Sequence, residues 1–318
     1  MKKEIKNILV ATDRLSHLSG TETYTYSIVE ELVRRDLYNV EYFTFSKGIV
    51  SEKIEKDLNV KFFSKKKYDL ILANHATCVD FLYKKGFIIQ TCHGIYPDLE
   101  QPSSKAQAFV SVSQEVQHHL ALLGIPSILI LNGINLNRYY CKNEISKRLT
   151  TVLSLCQSIE ANEFVEKACA EKGLNFLKAF KYENPIWNVE DEINKADLIV
   201  GLGRSAYEAM ACGRPVVVFD KRNYFESYSD GYVKENLGFS ILNNCSGRFS
   251  KAVYKNTNDI QIEFSKYDKN DSRYFRDFAE KQLDIRLQID KYLNYYDNIY
   301  KSKRSSPFQR LFNRLFIS

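Results

Sequence analysis

Short apolar runs alternating with longer stretches of helical spacing constrain this chain more than any other feature. Asn7-Ile8-Leu9-Val10-Ala11-Thr12 has the character of a buried strand. A polar turn from Asp13 to Gly20 follows. Residues 24–35 then read as a helix, with Ile28 and Leu32, and Val29 and Val33, four apart. The alternation predicts further strands at residues 40–45, 69–73, 87–91, 109–113 and 128–131, with helices at 79–84 and 114–123 among the connections. Strands separated by such helices make a parallel sheet covered on both faces.

The rhythm lapses at residues 143–150 and restarts with Thr151-Val152-Leu153-Ser154-Leu155-Cys156. Strands at 174–180, 197–201 and 215–219 follow, with helices at 160–172, 189–195 and 205–212. A boundary near residues 138–150 divides the chain into two Rossmann-like α/β halves of about 140 residues each, in keeping with a length that favours two domains. The first runs over 1–140 and the second over 141–300, with a tail at 301–318. The stretch 243–267 has no readable pattern. From Lys266 a long helical pattern takes over, with Ile285, Ile289, Tyr292, Tyr296 and Tyr300 three or four apart. Ligands in such sheets bind beyond the carboxyl ends of the strands, so the strand-to-helix turns are where chemistry is expected.

Composition removes several classes. Hydrophobic residues at 44%, with only 6 prolines and 13 glycines, describe a chain that buries a core. No apolar run of roughly 18 residues predicts a membrane-spanning helix. The first residues run into a strand without a signal-like apolar region, and the seven cysteines are scattered without a Cys-x-x-Cys pair. Reduced thiols in a cytoplasmic setting are therefore expected. A net charge of +6, from 45 basic and 39 acidic residues, is too mild to call for a nucleic-acid partner. No Gly-x-Gly-x-x-Gly follows the first strand and no Walker-type lysine loop occurs, which argues against nicotinamide enzymes and P-loop nucleotidases. No His-Glu-x-x-His, Asp-x-Asp or Gly-x-Ser-x-Gly is present, and no metal site is expected.

Four turns carry polar residues suited to chemistry. Leu18-Ser19-Gly20-Thr21-Glu22 leads into the first helix, and is either an ordinary capped turn or a phosphate-facing one. His93, in Thr91-Cys92-His93-Gly94, ends a strand. It either packs as a hydrogen-bonded core histidine or faces the cleft, where it could bond a sugar hydroxyl or move a proton. His118 and His119 fall in a helix and are expected at the surface. Asn132-Gly133, just before the boundary, reads first as a hinge turn. The fourth turn, Gly201-Leu202-Gly203-Arg204-Ser205, links an apolar strand to a helix carrying Glu208; Gly213, Pro215 and another apolar strand follow. Two glycines leave room for phosphates at a helix start, and a carboxylate such as Glu208 can accept hydrogen bonds from ribose hydroxyls. The competing reading of Glu208 is a surface glutamate on an amphipathic helix.

The string Glu-Ala-Met-Ala-Cys-Gly-x-Pro-Val-Val at 208–217 resembles the donor site of GT-B glycosyltransferases, especially family 4, the glycosyl-transferase group 1 enzymes. Gly20 then looks like the first-domain glycine loop, His93-Gly94 like the active-site histidine, and Asn132-Gly133-Ile134 like the linker motif. The resemblance spans roughly residues 7–242 and is strongest over about 25 residues at the fourth turn. It implies a GT-B fold, Glu208 on the nucleotide ribose, His93 near the transferred sugar, and Gly20 near phosphates and acceptor. It further implies transfer of a sugar from a nucleotide-diphosphate donor, usually with retention, without metal or other cofactor. Two departures stand out. Val200 occupies the position, eight before Glu208, where the family often has a second glutamate. Residues 156–162 lack the Arg and Lys that often hold the diphosphate, so Arg204 is the expected substitute, with Gly201, Gly203 and Ser205 around it.

In the tail, Phe308, Leu311, Phe312, Leu315 and Phe316 form one stripe, with Arg310 and Arg314 off it. From Lys301 onward there are five basic residues and no acidic one. Such a helix suits an anionic membrane surface; the other readings are packing back on the protein or disorder. The expectation is a cytoplasmic, peripherally membrane-bound glycosyltransferase acting on a lipid-linked or polysaccharide acceptor in bacterial surface-glycan assembly. Its rivals are a UDP-sugar 2-epimerase on the same architecture and a degenerate binding subunit.

Overall fold

The computed structural model describes residues 5–183, 185–222 and 229–305. In the first half the elements are β1 (Asn7–Ala11), α1 (Gly20–Arg34), β2 (Asn39–Phe43), α2 (Ile49–Asp57), β3 (Lys61–Phe62), β4 (Leu70–Ala73), α3 (Ala76–Leu82), β5 (Phe87–Cys92), β6 (Ala108–Ser111), α4 (Gln114–Leu122) and β7 (Ile128–Leu129). The strands form one parallel sheet in the order β3-β2-β1-β4-β5-β6-β7. Its central strands are apolar throughout because both faces are covered. Along β1, Ile8 and Val10 enter one core while Leu9 and Ala11 enter the other.

The second half contains β8 (Thr151–Ser154), α5 (Ile159–Glu171), β9 (Asn175–Lys178), α6 (Val189–Ile193), β10 (Leu198–Gly201), α7 (Arg204–Ala211), β11 (Val216–Phe219), β12 (Ser229–Tyr232), α8 (Leu237–Leu242), α9 (Thr257–Ser265), α10 (Asp271–Gln282) and α11 (Ile285–Ser305). Its sheet runs β12-β11-β10-β8-β9, parallel except for the antiparallel edge strand β12. Gly213, with φ +66°, ends α7, a conformation glycine adopts without steric cost. Arg214, fully buried, then donates to the carbonyls of Cys212 (3.0 Å), Asn143 (2.8 Å) and Asn194 (3.1 Å), fastening the incoming linker to this half.

The long C-terminal pattern is two helices, with a break at Leu283 and Asp284. Although α11 follows the second half in sequence, it packs with the first. Ile285, Ile289, Tyr292 and Tyr296 join the core beneath α1, and the Tyr292 hydroxyl lies 3.1 Å from that of Tyr24 and 2.8 Å from Thr91 Oγ1. The chain therefore crosses between halves twice, and the crossings lie side by side. Ile134 N donates to Leu283 O (2.7 Å), and Ile285 N donates to Ile134 O (3.0 Å). Gly133 is required here: a Cβ would stand 2.7 Å from Ile285 Cα.

Candidate active site

The carboxyl ends of β1 and β5 face those of β8, β9 and β10 across a cleft of about 380 Å³. Gly20, His93, Asn132, Gly203, Arg204, Ser205 and Glu208 all line it. Gly201 and Gly133 do not. Gly201 is a packing glycine whose Cβ would touch Leu155 and Ser205, each 3.3 Å away, and Gly133 serves the paired crossings.

On the first-half wall, Gly20 is the first residue of α1, and open space surrounds the position of its missing Cβ. The turn is linked to His93 by hydrogen bonds that also set the imidazole tautomer. Thr25 Oγ1 donates to Thr21 O (2.8 Å) and so accepts from Asn74 Nδ2 (2.9 Å). That orients the Asn74 amide with Oδ1 toward His93, 3.1 Å from Nε2. Nε2 thus carries the proton and Nδ1 is left as an acceptor. Burial, with a smaller contribution from His75, pushes the His93 pKa down to about 3. His93 is a neutral imidazole at pH 7, suited to accepting a hydrogen bond and not to delivering a proton. It is both a packed, bonded histidine, edge-on to Tyr24, and a cleft residue. His118 is exposed, whereas His119 is half-buried and bonds Gln101 Oε1 at 2.8 Å.

On the opposite wall, Gly203 has φ +56° and ψ −125°, a conformation open essentially to glycine alone. Its N–H donates to Cys245 O (2.9 Å), so the loop at 244–248 closes over the start of α7. Glu208 is 6% exposed, which removes the surface-helix reading. Burial raises its pKa; Arg204, Arg138 and Tyr139 pull it back. Arg204 is heavily engaged. Its Nε lies 2.9 Å from Glu208 Oε1, Nη1 donates to Gly133 O (3.0 Å), and Nη2 donates to Ser27 Oγ (3.0 Å) on α1. The arginine expected to hold a diphosphate ties Glu208, the linker and the first half together in this structure. Lys181, Arg222 and Arg248 are further cations on the cleft, the last paired with Glu115 of α4 at 2.9 Å. Among the described residues, the carboxylates on it are Glu100 and Glu208.

Among the described residues, four buried polar atoms on cleft-lining side chains have no hydrogen-bond partner: Asn132 Oδ1, Gln157 Oε1, Ser246 Oγ and Arg204 Nε, the last held by its ion pair with Glu208. Buried polar groups are nearly always paired, so unpartnered atoms on the cleft wall are suited to meeting a ligand. Among the described residues, no group of three or more His, Cys, Asp or Glu is placed to hold a metal ion. Nor is any described helix long and apolar enough to cross a membrane. The expected membrane stripe, Phe308 to Phe316, lies outside the described residues.

Sequence reasoning missed several cleft residues. Trp187, the only tryptophan, stands edge-on to Tyr26 of α1 at 4.9 Å and lines the cleft. Its rarity was the available signal. Asn244, Ser246 and Arg248 fall where the sequence shows no period, and Glu100 lies on a short 3-10 turn with no motif.

No family model matches the chain, and no curated protein matches it in sequence. Solved structures do match. A glycosyltransferase from Rickettsia africae ESF-5 superposes with TM-score 0.62 at 14% identity, over 93% of this chain and 99% of that one. The chain has the GT-B fold. A Listeria monocytogenes protein described as a UDP-N-acetylglucosamine 2-epimerase follows with TM-score 0.57 at 11% identity, over 93% and 97%. An alpha-glucosyltransferase, solved with UDP and a DNA 13-mer containing an HMU base, has TM-score 0.53 at 12% identity, over 91% and 99%. At these identities the likeness is one of fold.

Proposed function

We propose that the chain is a glycosyltransferase of the family 4 type, moving a sugar from a nucleotide-diphosphate donor to a lipid-linked or glycan acceptor. The observation that carries this is the convergence at one cleft of Gly20, His93 and the Gly203–Glu208 turn, contributed by both halves. In this reading Glu208 accepts the ribose hydroxyls, with Arg204 fixing its carboxylate. The diphosphate lies against the start of α7, where the positive end of the helix dipole favours an anion, with Lys181, Arg222 and Arg248 nearby. His93 Nδ1 accepts from a sugar hydroxyl. No step calls for a metal or cofactor.

The acceptor class and a place in bacterial surface-glycan assembly follow from the resemblance together with the basic, apolar-striped tail. That tail would hold a cytoplasmic enzyme at an anionic membrane surface. The 2-epimerase reading is favoured by the second structural neighbour and is separated by its product. A nucleotide sugar inverted at C2, without transfer to any acceptor, would replace the transferase reading. The test is incubation of the chain with UDP-glucose, UDP-N-acetylglucosamine and GDP-mannose, each with octyl glycosides as acceptors, and NMR of the products. Glycosylated octyl glycoside is the expected result.

A further inference from the structure

The two faces of the first sheet are covered unequally. On one, α1 and α2 send Leu32, Val50 and Ile54 into the core. On the other, α3 covers the middle of the sheet through Cys78, Val79 and Leu82, which pack with Leu9, Ala11 and Ile71. Toward the β2–β3 edge of that face the cover is a group of phenylalanines. The buried Phe43 ring stacks on Phe81 of α3 (5.0 Å) and meets Phe45 and Phe63 edge-on (4.9 Å each). Phe45 is 52% and Phe81 51% exposed. Single exposed apolar side chains are common, but rings in mutual contact make a continuous apolar surface, which marks an interaction site.

Lysines surround these rings. Lys85 Nζ lies 5.2 Å from the Phe63 centroid, and Lys84 and Lys105 lie 5.3 and 4.9 Å from that of Tyr83, itself 40% exposed. Lys66 and Lys67 are exposed on the loop before β4, and Lys67 Nζ donates to Lys84 O. Glu41 takes Lys65 (2.7 Å) and Asp80 takes Lys105 (3.3 Å). Among the described residues, Lys66, Lys67, Lys84 and Lys85 have no acidic partner. The flank runs from Phe45, just past the carboxyl end of β2, to Lys85, just before the amino end of β5. Helix α11 runs toward that same amino end: Tyr292 lies by Thr91, Tyr296 is edge-on to Phe87 (5.2 Å), and the basic tail follows the end of the helix at Ser305.

Resting on the membrane part of the reading above and independent of the chemistry in the cleft, we propose that this flank is a second contact with an anionic bilayer. Phe45, Phe63 and Phe81 enter the interface, while Lys66, Lys67, Lys84 and Lys85 meet the headgroup phosphates. Aromatic rings and long-stemmed ammonium groups suit the two depths of such a surface. A second copy of the chain fits poorly, since a two-fold contact would set the same lysines against one another. The tail anchors the chain, and the flank, too small to hold it alone, fixes which side lies on the lipid. Phe45 stands at the end of the sheet where the cleft opens, so this orientation brings the edge of the cleft to the bilayer.

The test uses the full chain with its tail, as wild type, Phe45→Ser/Phe81→Ser and Lys66→Glu/Lys84→Glu, the last leaving every ring in place. Each is sedimented with vesicles of phosphatidylglycerol and phosphatidylcholine, and with phosphatidylcholine alone. Both variants should bind the anionic vesicles about tenfold or more weakly than wild type. In the wild type, hydroxyl-radical oxidation of Phe45 and Phe81, read by mass spectrometry, should fall with anionic vesicles and not with neutral ones. Equal binding by either folded variant, or equal oxidation of the rings with and without anionic vesicles, overturns the proposal and leaves the tail as the membrane anchor. A wild-type dimer in sedimentation velocity that either variant loses also overturns it, and gives the flank to a second copy. Failure of the wild type to bind anionic vesicles overturns the flank and the tail readings together.

Discussion

Replacing His93 with glutamine tests whether this histidine is held neutral in the cleft wall. Unfolded histidine titrates near 6.5, and in the folded chain burial takes His93 down to about 3. Above pH 6.5 neither state carries the proton. Below it the unfolded chain takes up a proton that the folded chain refuses, so stability falls as pH falls from 6.5 toward 3. The slope is about 1.4 kcal/mol per pH unit. At pH 5 the loss from His93 is on the order of 2 kcal/mol. His75, lowered to about 4 by its own burial, adds a similar loss. Glu100 works the other way. Its pKa rises from 4.5 to about 7 on folding, so it adds stability as pH falls through that window. The His93 contribution is therefore read as a difference between proteins. Urea unfolding followed by the fluorescence of Trp187, the only tryptophan, at pH 7.5 and pH 5.0 supplies it. His93→Gln should be less acid-sensitive than wild type by about 2 kcal/mol between those pH values. Equal acid sensitivity would refute the neutral, desolvated histidine and return it to the role of a proton carrier.

Arg204→Met removes the counter-charge of Glu208 together with the ties to Gly133 O and Ser27. Affinity for a nucleoside diphosphate and for the bare nucleoside should fall alike in calorimetry, by about 1.5–3 kcal/mol. A much larger loss for the diphosphate would make Arg204 a phosphate ligand. Gly133→Ala drives a Cβ into the Ile285 backbone and should cost about 1–3 kcal/mol, seen as a lower melting temperature; an unchanged melt would show that the two crossings separate readily. Deletion of residues 306–318 should abolish salt-sensitive sedimentation with anionic vesicles while nucleotide binding persists, each lost Lys or Arg being worth about 1 kcal/mol near such a surface. Equal sedimentation of the truncated chain would place membrane affinity elsewhere.

The two-sheet architecture was legible because parallel strands covered on both faces must be apolar along their length. Ile8 to Ala11, Val152 to Ser154 and Val216 to Phe219 therefore stand out from the polar turns that flank them. Strand β12, Ser-Asp-Gly-Tyr, was not legible, since its pairing rests on backbone contacts at a sheet edge and not on an apolar run. The stripe Ile285, Ile289, Tyr292 and Tyr296 announced a buried helix face but not its partner. Only the crossing beside Gly133 carries it back beneath α1. At the cleft, the turn around Glu208 was readable because glycine spacing and a carboxylate in a small-residue helix leave a mark in one dimension. Glu100, Trp187 and residues 244–248 leave none. They reach the cavity through turns, one of them holding two non-glycine residues at positive φ, Asn244 at 57° and Cys245 at 44°. The engagement of Arg204 was equally invisible, because its partners Ser27 and Gly133 lie far from it in the chain.

The central claim is that this cleft binds a nucleotide through Glu208, and calorimetry with UDP and GDP on wild type and Glu208→Ala tests it most directly. The wild type should bind at least one of the two. The variant, still folded by circular dichroism, should bind it about tenfold to a hundredfold more weakly, the loss of charge-assisted hydrogen bonds to the ribose being worth about 1.5–3 kcal/mol. Equal affinity of wild type and a folded Glu208→Ala, or no binding of either nucleotide by the wild type, would contradict it.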